Sequence, residues 1–281
     1  MKMSSRTPSV KQRQRAEVVH MLDKLNQYRQ NFAFPFYKKN PKATSYSFEW
    51  VEDLAGLQQV QQFRAVQFGA QFNLHFANGL DQDLYDFNCE HAVLRDKVTQ
   101  EIVAYTRIKR LQGYELVTKS YSQHEFDIAS QLGHLEHIVE IGRTCVHPRY
   151  RSGKALSVLW LNLLPKVLWE MKAKYVIGCV SVRLKGNEAQ AYYTHQFIKN
   201  LKQGTNSIRA QQSYEPAYPQ YSFKQDERIP KLFDVYLKMQ ATLSQQAYYD
   251  QEFNCVDYFV FLEVAKMAKN FIFQQKITQN L

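Results

Sequence analysis

The sequence has few cysteines, no long apolar run and almost no acidic residues at its start. Four cysteines occur in 281 residues, Cys89, Cys145, Cys179 and Cys255, scattered and without a CxxC pair. This spacing predicts neither a zinc site nor a disulfide framework, and it fits a reduced, cytoplasmic setting. No metal is expected. The apolar run "YFVFL" (Tyr258–Leu262) is far shorter than the ~18 residues that span a bilayer, which argues against a membrane-lytic protein. The opening "MKMSSRTPSVKQRQRAEVV" is polar and basic, without the apolar core of a secretory leader. There is no internal repeat and no low-complexity block.

The formal net charge is +10, and it is unevenly spread. Residues 1–42 hold ten Lys and Arg against two acids, Glu17 and Asp23, a net +8. The body is therefore close to neutral. With no recognised binding motif in the body, the high isoelectric point does not argue for nucleic-acid binding. A basic arm suits an acidic protein, an anionic membrane surface or a solvated tail. Within it, Val18, Met21, Leu22, Leu25, Tyr28 and Phe32 recur at helical steps, predicting an amphipathic helix over 12–32. "FPFYKKNPKAT" then reads as a linker. The predicted division is an arm and linker at 1–44 and a domain at 45–281.

Beyond residue 45 the pattern changes. "YSFEWV" (Tyr46–Val51) alternates as a strand, and 52–70 carries an apolar helical stripe. "HAVLRD" and "EIVAYTRIKR" predict a hairpin around "KVTQ". "VEIGRTCV" predicts a strand, followed by a helix to about Met171. "YVIGCVSV" predicts a buried strand, "NEAQAYYTHQFI" a helix, 230–243 another helix, and "DYFVFLEV" a last strand. This order predicts an α/β domain, one mixed sheet with helices on both faces.

The segment "VEIGRTCVHPRYRSGKAL" (Val139–Leu156) concentrates the chemistry. In a regular strand Glu140 and Arg143 would point to opposite faces. A β-bulge near Gly142 would bring both to one side and expose backbone N–H groups. Such donors suit a thioester carbonyl and its oxyanion; an ion pair on a sheet edge is the alternative. Arg149, Arg151 and Lys154 near a helix start suit a phosphate, or form an ordinary basic loop. Arg64 and Phe68 lie one helical turn apart. Asp81, Asp83 and Asp86 cluster ahead of the hairpin, as an amino-group site or a loop cap. Arg107 is a charge in an otherwise apolar strand. Cys145 reads as packing and His147 as a turn residue.

Together, "RAVQFGAQF", "GLDQDLYDFNCEHAVLRD", Arg107, "EFDI", "VEIGRTCVHPRYRSGKAL" and the C-terminal "IPKLFDVYLKMQATLSQQAYYDQEFNCVDYFVFLE" carry a resemblance. Over about residues 46–265 the chain resembles acyl-carrier-protein-dependent N-acyltransferases of the Gcn5-related acetyltransferase superfold. It is similar more narrowly to bacterial ornithine-lipid N-acyltransferases, and more distantly to acyl-homoserine-lactone synthases. The resemblance implies transfer of a long-chain or 3-hydroxyacyl group from carrier protein to the α-amine of an amino acid, most simply L-ornithine. A different acceptor, or signal synthesis, is the alternative. It implies Glu140 as proton acceptor with Arg143 beside it, and Asp83, Asp86, Arg107 and Arg64 as acceptor-binding residues. Phe68, Phe126, Arg149, Arg151, Gly153 and Lys154 are implied for the acyl-phosphopantetheine arm, with no permanently bound cofactor. The superfold's pyrophosphate loop is R/Q-x-x-G-x-G/A. "RYRSGKAL" lacks the second glycine, which favours a carrier protein's single phosphate over coenzyme A. The glycines that ornithine-lipid enzymes often carry in a C-terminal helix are also missing from "YLKMQATLSQ". The expected partners are acyl carrier protein and the amino acid, with peripheral contact to an anionic inner membrane through the arm.

Overall fold

The protein is described by a computed structural model covering residues 46–218 and 229–267, except 152, 153, 187 and 203. The chain divides into two units, Met1–Ala43 and Thr44–Leu281. The arm, with the amphipathic helix expected over 12–32, and Gly153 lie outside the described residues.

Among the described residues ten strands form one sheet: β1 (Tyr46–Val51), β2 (Glu90–Asp96), β3 (Ile102–Leu111), β4 (Ile138–Val146), β5 (Tyr175–Arg183), β6 (Thr205–Asn206), β7 (Ser213–Tyr214), β8 (Thr242–Ser244), β9 (Ala247–Asp250) and β10 (Cys255–Glu263). The main order is β1-β2-β3-β4-β5-β10-β8-β6, with β9 joining β10 to β7. β4 and β5 run parallel, as do β6 and β8; the other pairs are antiparallel. The helices are α1 (Leu54–Phe72), α2 (Leu116–Lys119), α3 (Ser122–Glu125), α4 (Ala129–Leu132), α5 (Lys154–Pro165), α6 (Glu188–Lys199) and α7 (Lys231–Lys238).

Alternation along the strands explains the layers. Val93, Tyr105 and Cys145 pack beneath α1 with Leu57, Val60 and Phe68. Their neighbours Ala92, Leu94 and Ala104 face the other way, onto Ala155, Leu159 and Leu163 of α5. Asp53 starts α1 by accepting from the Gly56 N–H (2.7 Å), and Asn73 ends it in a left-handed conformation.

The expected order of strands and long helices is observed, with one correction. The helix predicted over 230–243 ends at Lys238. Gln240 takes φ +64°, which breaks the helix, and Leu243 pairs with Val260 of β10. The short helices α2–α4 and strands β6–β9 give too little periodicity to read from sequence.

Two local features of β4 position the site. Its pairing with β5 spans only Ile138–Glu140 against Tyr175–Ile177, after which the strands diverge. At this fork Gly178 passes the Ile141 carbonyl so closely that a Cβ would lie 2.5 Å from the oxygen. On its other side β4 bulges: Tyr105 faces Cys145 and Arg107 faces Gly142, so Arg143 and Thr144 both oppose Thr106. The left-handed residue is Arg143 (φ +51°), one position beyond the glycine.

Candidate active site

The bulge resets the alternation of β4. Val139 and Ile141 pack toward α5, and without the extra residue Arg143 would follow them. Instead Glu140 and Arg143 line one cavity of about 160 Å³ on the α1 side, together with Tyr121, Cys179, Asp250 and Asp257. A left-handed arginine costs roughly 1–2 kcal/mol, and its neighbours offset that. Arg143 Nη2 donates to Asp83 Oδ2 (3.1 Å), and the guanidinium lies 4.7 Å from the Phe253 ring and 5.1 Å from that of Tyr121.

Arg143 is one of three arginines interleaved with three aspartates. Arg64 comes from α1, Arg107 from β3 and Arg143 from β4. The acids come from the loop 81–86, which the arginines hold against the sheet. Arg64 binds Asp86 in a fork, Nη1 to Oδ1 at 2.7 Å and Nη2 to Oδ2 at 2.8 Å. Its Nε donates to Asp81 Oδ2 (3.0 Å), and Nη2 also reaches the Asp81 carbonyl. Arg107 Nη1 bridges Asp83 Oδ1 (2.6 Å) and Asp86 Oδ1 (2.7 Å). Burial alone would raise the Asp86 carboxyl; the Arg64 hydrogen bond and charge reverse this and hold it well below the usual carboxylate range. Burial opposes the ionised Asp83 as well, and Arg107 overcomes it.

A histidine completes the network. His91 Nε2–H donates to the Asp86 carbonyl (2.8 Å), leaving Nδ1 to accept from the Tyr105 hydroxyl (2.7 Å). Burial lowers its pKa, so the ring is held neutral.

Glu140 does not pair with Arg143. Its carboxylate accepts from Ser120 Oγ (2.8 Å), Tyr121 N–H (3.0 Å) and Ser122 N–H (2.7 Å). It thereby caps α3 and fixes the Tyr121 ring against Arg107 and Arg143. Three of its roughly four acceptor positions are filled.

The other expected site residues are spread out. Arg107 and Phe68 line the cavity. Arg64 and Asp86 are buried in the wall behind it, and Asp83 joins them to Arg143. Phe126 is buried against Tyr248 and Phe259, in the wall of neither cavity. Arg149 and Arg151 are exposed at the turn after β4, with Arg151 Nε donating to the Val146 carbonyl (3.0 Å). Lys154 opens α5, its Nζ 5.8 Å from the Tyr46 ring. Cys145 is buried, and desolvation raises its thiol, as packing requires.

A second cavity, about 70 Å³, opens on the α5 side of the fork. Its wall is apolar, including Trp160, Leu163, Val176, Met239 and Val260. Ile141 and Tyr236 belong to both cavities, so a polar and an apolar space meet where β4 and β5 part.

Sequence inspection missed a third group, Glu125, Asp250 and Asp257. Asp257 carried the same signal as Arg107, a lone charge within an apolar strand. Glu125 stood in "EFDI" without a distinct role.

The family described as "Acetyltransferase (GNAT) domain" matches residues 61–161. The L-ornithine N(alpha)-acyltransferase of Rhodobacter capsulatus is 23% identical over 80% of this chain and 92% of its own. That of Agrobacterium fabrum is 28% identical over 68% of this chain and 70% of its own. Among solved structures, the CoA-dependent acyl-homoserine lactone synthase BjaI with MTA aligns over 80% of this chain and 88% of its own, at 11% identity and TM-score 0.47. With its single mixed sheet, the domain match at residues 61–161 and these curated relatives, the chain has a GNAT-like α/β fold and is an acyltransferase similar in sequence to the L-ornithine N(alpha)-acyltransferases.

Proposed function

We propose that the protein is an N-acyltransferase that moves a fatty acyl chain, long or 3-hydroxylated, from acyl carrier protein to the α-amine of an amino acid, L-ornithine by its relatives' names, giving a lyso-ornithine lipid. The observation that carries this reading is the meeting of a polar and an apolar cavity at one fork. An amine acceptor with a carboxylate suits the first, and an alkyl chain suits the second. The thioester carbonyl belongs between them, beside the N–H groups of the bulged strand. Those groups are fixed before reaction and suit the developing oxyanion.

The acceptor ammonium loses a proton to become nucleophilic. Its nitrogen bonds to the thioester carbon, the C–S bond breaks, and the leaving thiolate takes the second proton from nitrogen. Glu140 has one acceptor position left and lines the cavity, so it takes the first proton through water. Arg143, with an Nε that makes no hydrogen bond, receives the acceptor's carboxylate. Arg64, Asp83, Asp86 and Arg107 position Arg143 and the loop 81–86. Holding both reactants in one fork supplies much of the acceleration.

The missing glycine of "RYRSGKAL" supports a carrier-bound donor, and Arg149, Arg151 and Lys154 stand near where its phosphate would arrive. The +8 arm supports an acidic carrier surface or an anionic leaflet. Among the described residues no helix is long and apolar enough to cross a membrane.

The test is direct. Purified protein is incubated with acyl-loaded carrier protein or acyl-coenzyme A and a panel of amino acids, and products are read by mass spectrometry. An N-acyl amino acid formed from the carrier is expected. No turnover with any amine overturns the reading; turnover from coenzyme A alone reassigns the donor.

A further inference from the structure

His91 is a buried titratable group that the acyl-transfer chemistry leaves unused. Its hydrogen bonds belong to a closed circuit of four residues. The Asp86 carbonyl can only accept, so Nε2 carries the proton of the neutral ring and Nδ1 presents a lone pair. The Tyr105 hydroxyl donates to that lone pair (2.7 Å) and accepts from Arg64 Nη1 (3.1 Å). The same Arg64 nitrogen donates to the Asp86 carboxylate, which closes the circuit. The imidazole is stacked on the Tyr105 ring with 22° between their planes, which fixes its orientation. The loop 81–86 is thereby tied to α1, β2 and β3 at once.

This circuit suits one charge state. Arg64, Arg107 and Arg143 balance Asp81, Asp83 and Asp86. A protonated His91 would add a fourth cation to a buried, balanced group. Its Nδ1–H would also face the Tyr105 hydroxyl, whose partners among the described residues are Arg64 and His91. That oxygen would then accept from both, and its own buried proton would lack an acceptor. The member that can yield is the loop, since Tyr105 and Arg107 sit in an interior strand and Arg64 in a long helix.

We infer that His91 is a positioning residue and a pH switch: neutral, it clamps the loop 81–86 onto the sheet, and protonated, it releases that loop. Asp83 of the loop holds both Arg107 and Arg143 in the polar cavity, so release loosens the acceptor's end of the site. This last link rests on the proposed N-acyltransferase activity; the switch itself does not.

The groups facing His91 set the direction. Burial disfavours the imidazolium, the Asp86 carbonyl and carboxylate oppose that, and Arg64 from α1 and Arg107 from β3 add to it. Tyr105, also on β3, is kept protonated by burial. On β1 the residue opposite is the uncharged Val51. The folded pKa thus lies below the ~6.5 of an exposed histidine, so the clamp is intact above that pH and weakens as pH falls below it.

Glutamine offers a donor and an acceptor on one planar amide and does not titrate, so His91→Gln separates the clamp from the switch. Amide hydrogen exchange over residues 81–88 of the full chain is compared at pH 7 and pH 5, corrected for the intrinsic rate. In the unaltered protein protection is expected to fall at least ~10-fold at the lower pH, with β10 unchanged. His91→Gln should keep the loop protected at both. Equal protection at the two pH values in the unaltered protein overturns the switch, and so does the same loss in His91→Gln.

Ring-nitrogen NMR of the unaltered protein decides the matter should the variant fail to fold. His91 is expected as the Nε2–H tautomer at pH 7, with a titration midpoint that coincides with the midpoint of loop exchange. An Nδ1–H tautomer, an imidazolium at pH 7 or separate midpoints overturn the switch. Neither readout involves acyl transfer, so failure of the switch and failure of the proposed activity are told apart. In the acyl-transfer assay KM for the amino acid should rise as the loop opens, and should not in His91→Gln; a KM that stays flat overturns the link to the acceptor.

Discussion

The Arg64 guanidinium grips the Asp86 carboxylate through two parallel hydrogen bonds of 2.7 and 2.8 Å, with Arg64 wholly buried. Removing one partner of such a pair strands the other charge. Asp86→Asn is therefore expected to cost roughly 3–5 kcal/mol of folding stability, measured by urea unfolding. The pH dependence follows from the sign of the shift. Asp86 is held below its unfolded value of about 3.9, so its contribution is present above that pH and lost as pH falls below it. The variant's stability deficit should shrink on acidification; a deficit constant with pH would argue against the pair.

Glu140 serves α3 and the cavity at once, and these duties can be separated. Glu140→Gln is expected to lower kcat by about 10²–10⁴-fold, the usual range for losing a positioned proton acceptor. If Glu140 only anchors Ser120–Ser122, the same variant should melt earlier while retaining most of its kcat at low temperature. A stopped assay paired with a thermal melt reads both.

The apolar cavity should set acyl length. Met239 is half-buried in its wall, at the end of α7. Met239→Trp is expected to shift preference toward shorter acyl chains, by about tenfold or more in kcat/KM for each methylene that no longer fits. A chain-length profile measured with a set of acyl-carrier donors checks this. An unchanged profile would move the alkyl chain elsewhere.

The acid group predicts a pH effect on stability. Burial pushes the Asp257 carboxyl up to about 6, with Ser181 opposing and Asp250 adding to the rise. Glu125 rises further through burial and then Asp257. The groups facing them are Asp250 and Tyr248 from β9, Cys179 and Ser181 from β5, Tyr121 ahead of α3, and Cys255 on β10. Because the folded value of Asp257 lies above its unfolded one, the ligand-free fold loses this group's contribution as pH rises through about 6. Thermal melts should show this loss between about pH 4 and about pH 6, and Asp257→Asn should remove that pH dependence.

Much of the site was legible because β4 breaks a simple rule. Glu140 and Arg143 are three apart, and alternation forbids them one face unless a residue is inserted. The glycine suggested where; the insertion falls at Arg143 itself, since the Asp83 contact and the Tyr121 and Phe253 rings hold that residue left-handed. Arg107 was visible as a charge in an apolar strand. What could not be read was partnership. Composition does not reveal that Asp81, Asp83 and Asp86 are filled by arginines from three different elements, or that Glu125 and Asp257, 132 positions apart in sequence, are left to each other. The long helices and strands were legible from periodicity, whereas β6–β9, of two to four residues, show none.

The divergence of β4 from β5 leaves two strands with a ladder that stops early. Beyond Glu140 and Ile177 the facing edges run on to Val146 and Arg183 without each other. Peptide groups along such edges need partners. A pantetheine arm is itself a short chain of amides, so a donor lying in the wedge can act as a temporary extra strand, knitting together what the fold holds apart. On the proposed activity, only the wedge beyond Glu140 and Ile177 is bridged while a donor is bound, and bridging it is part of the binding energy.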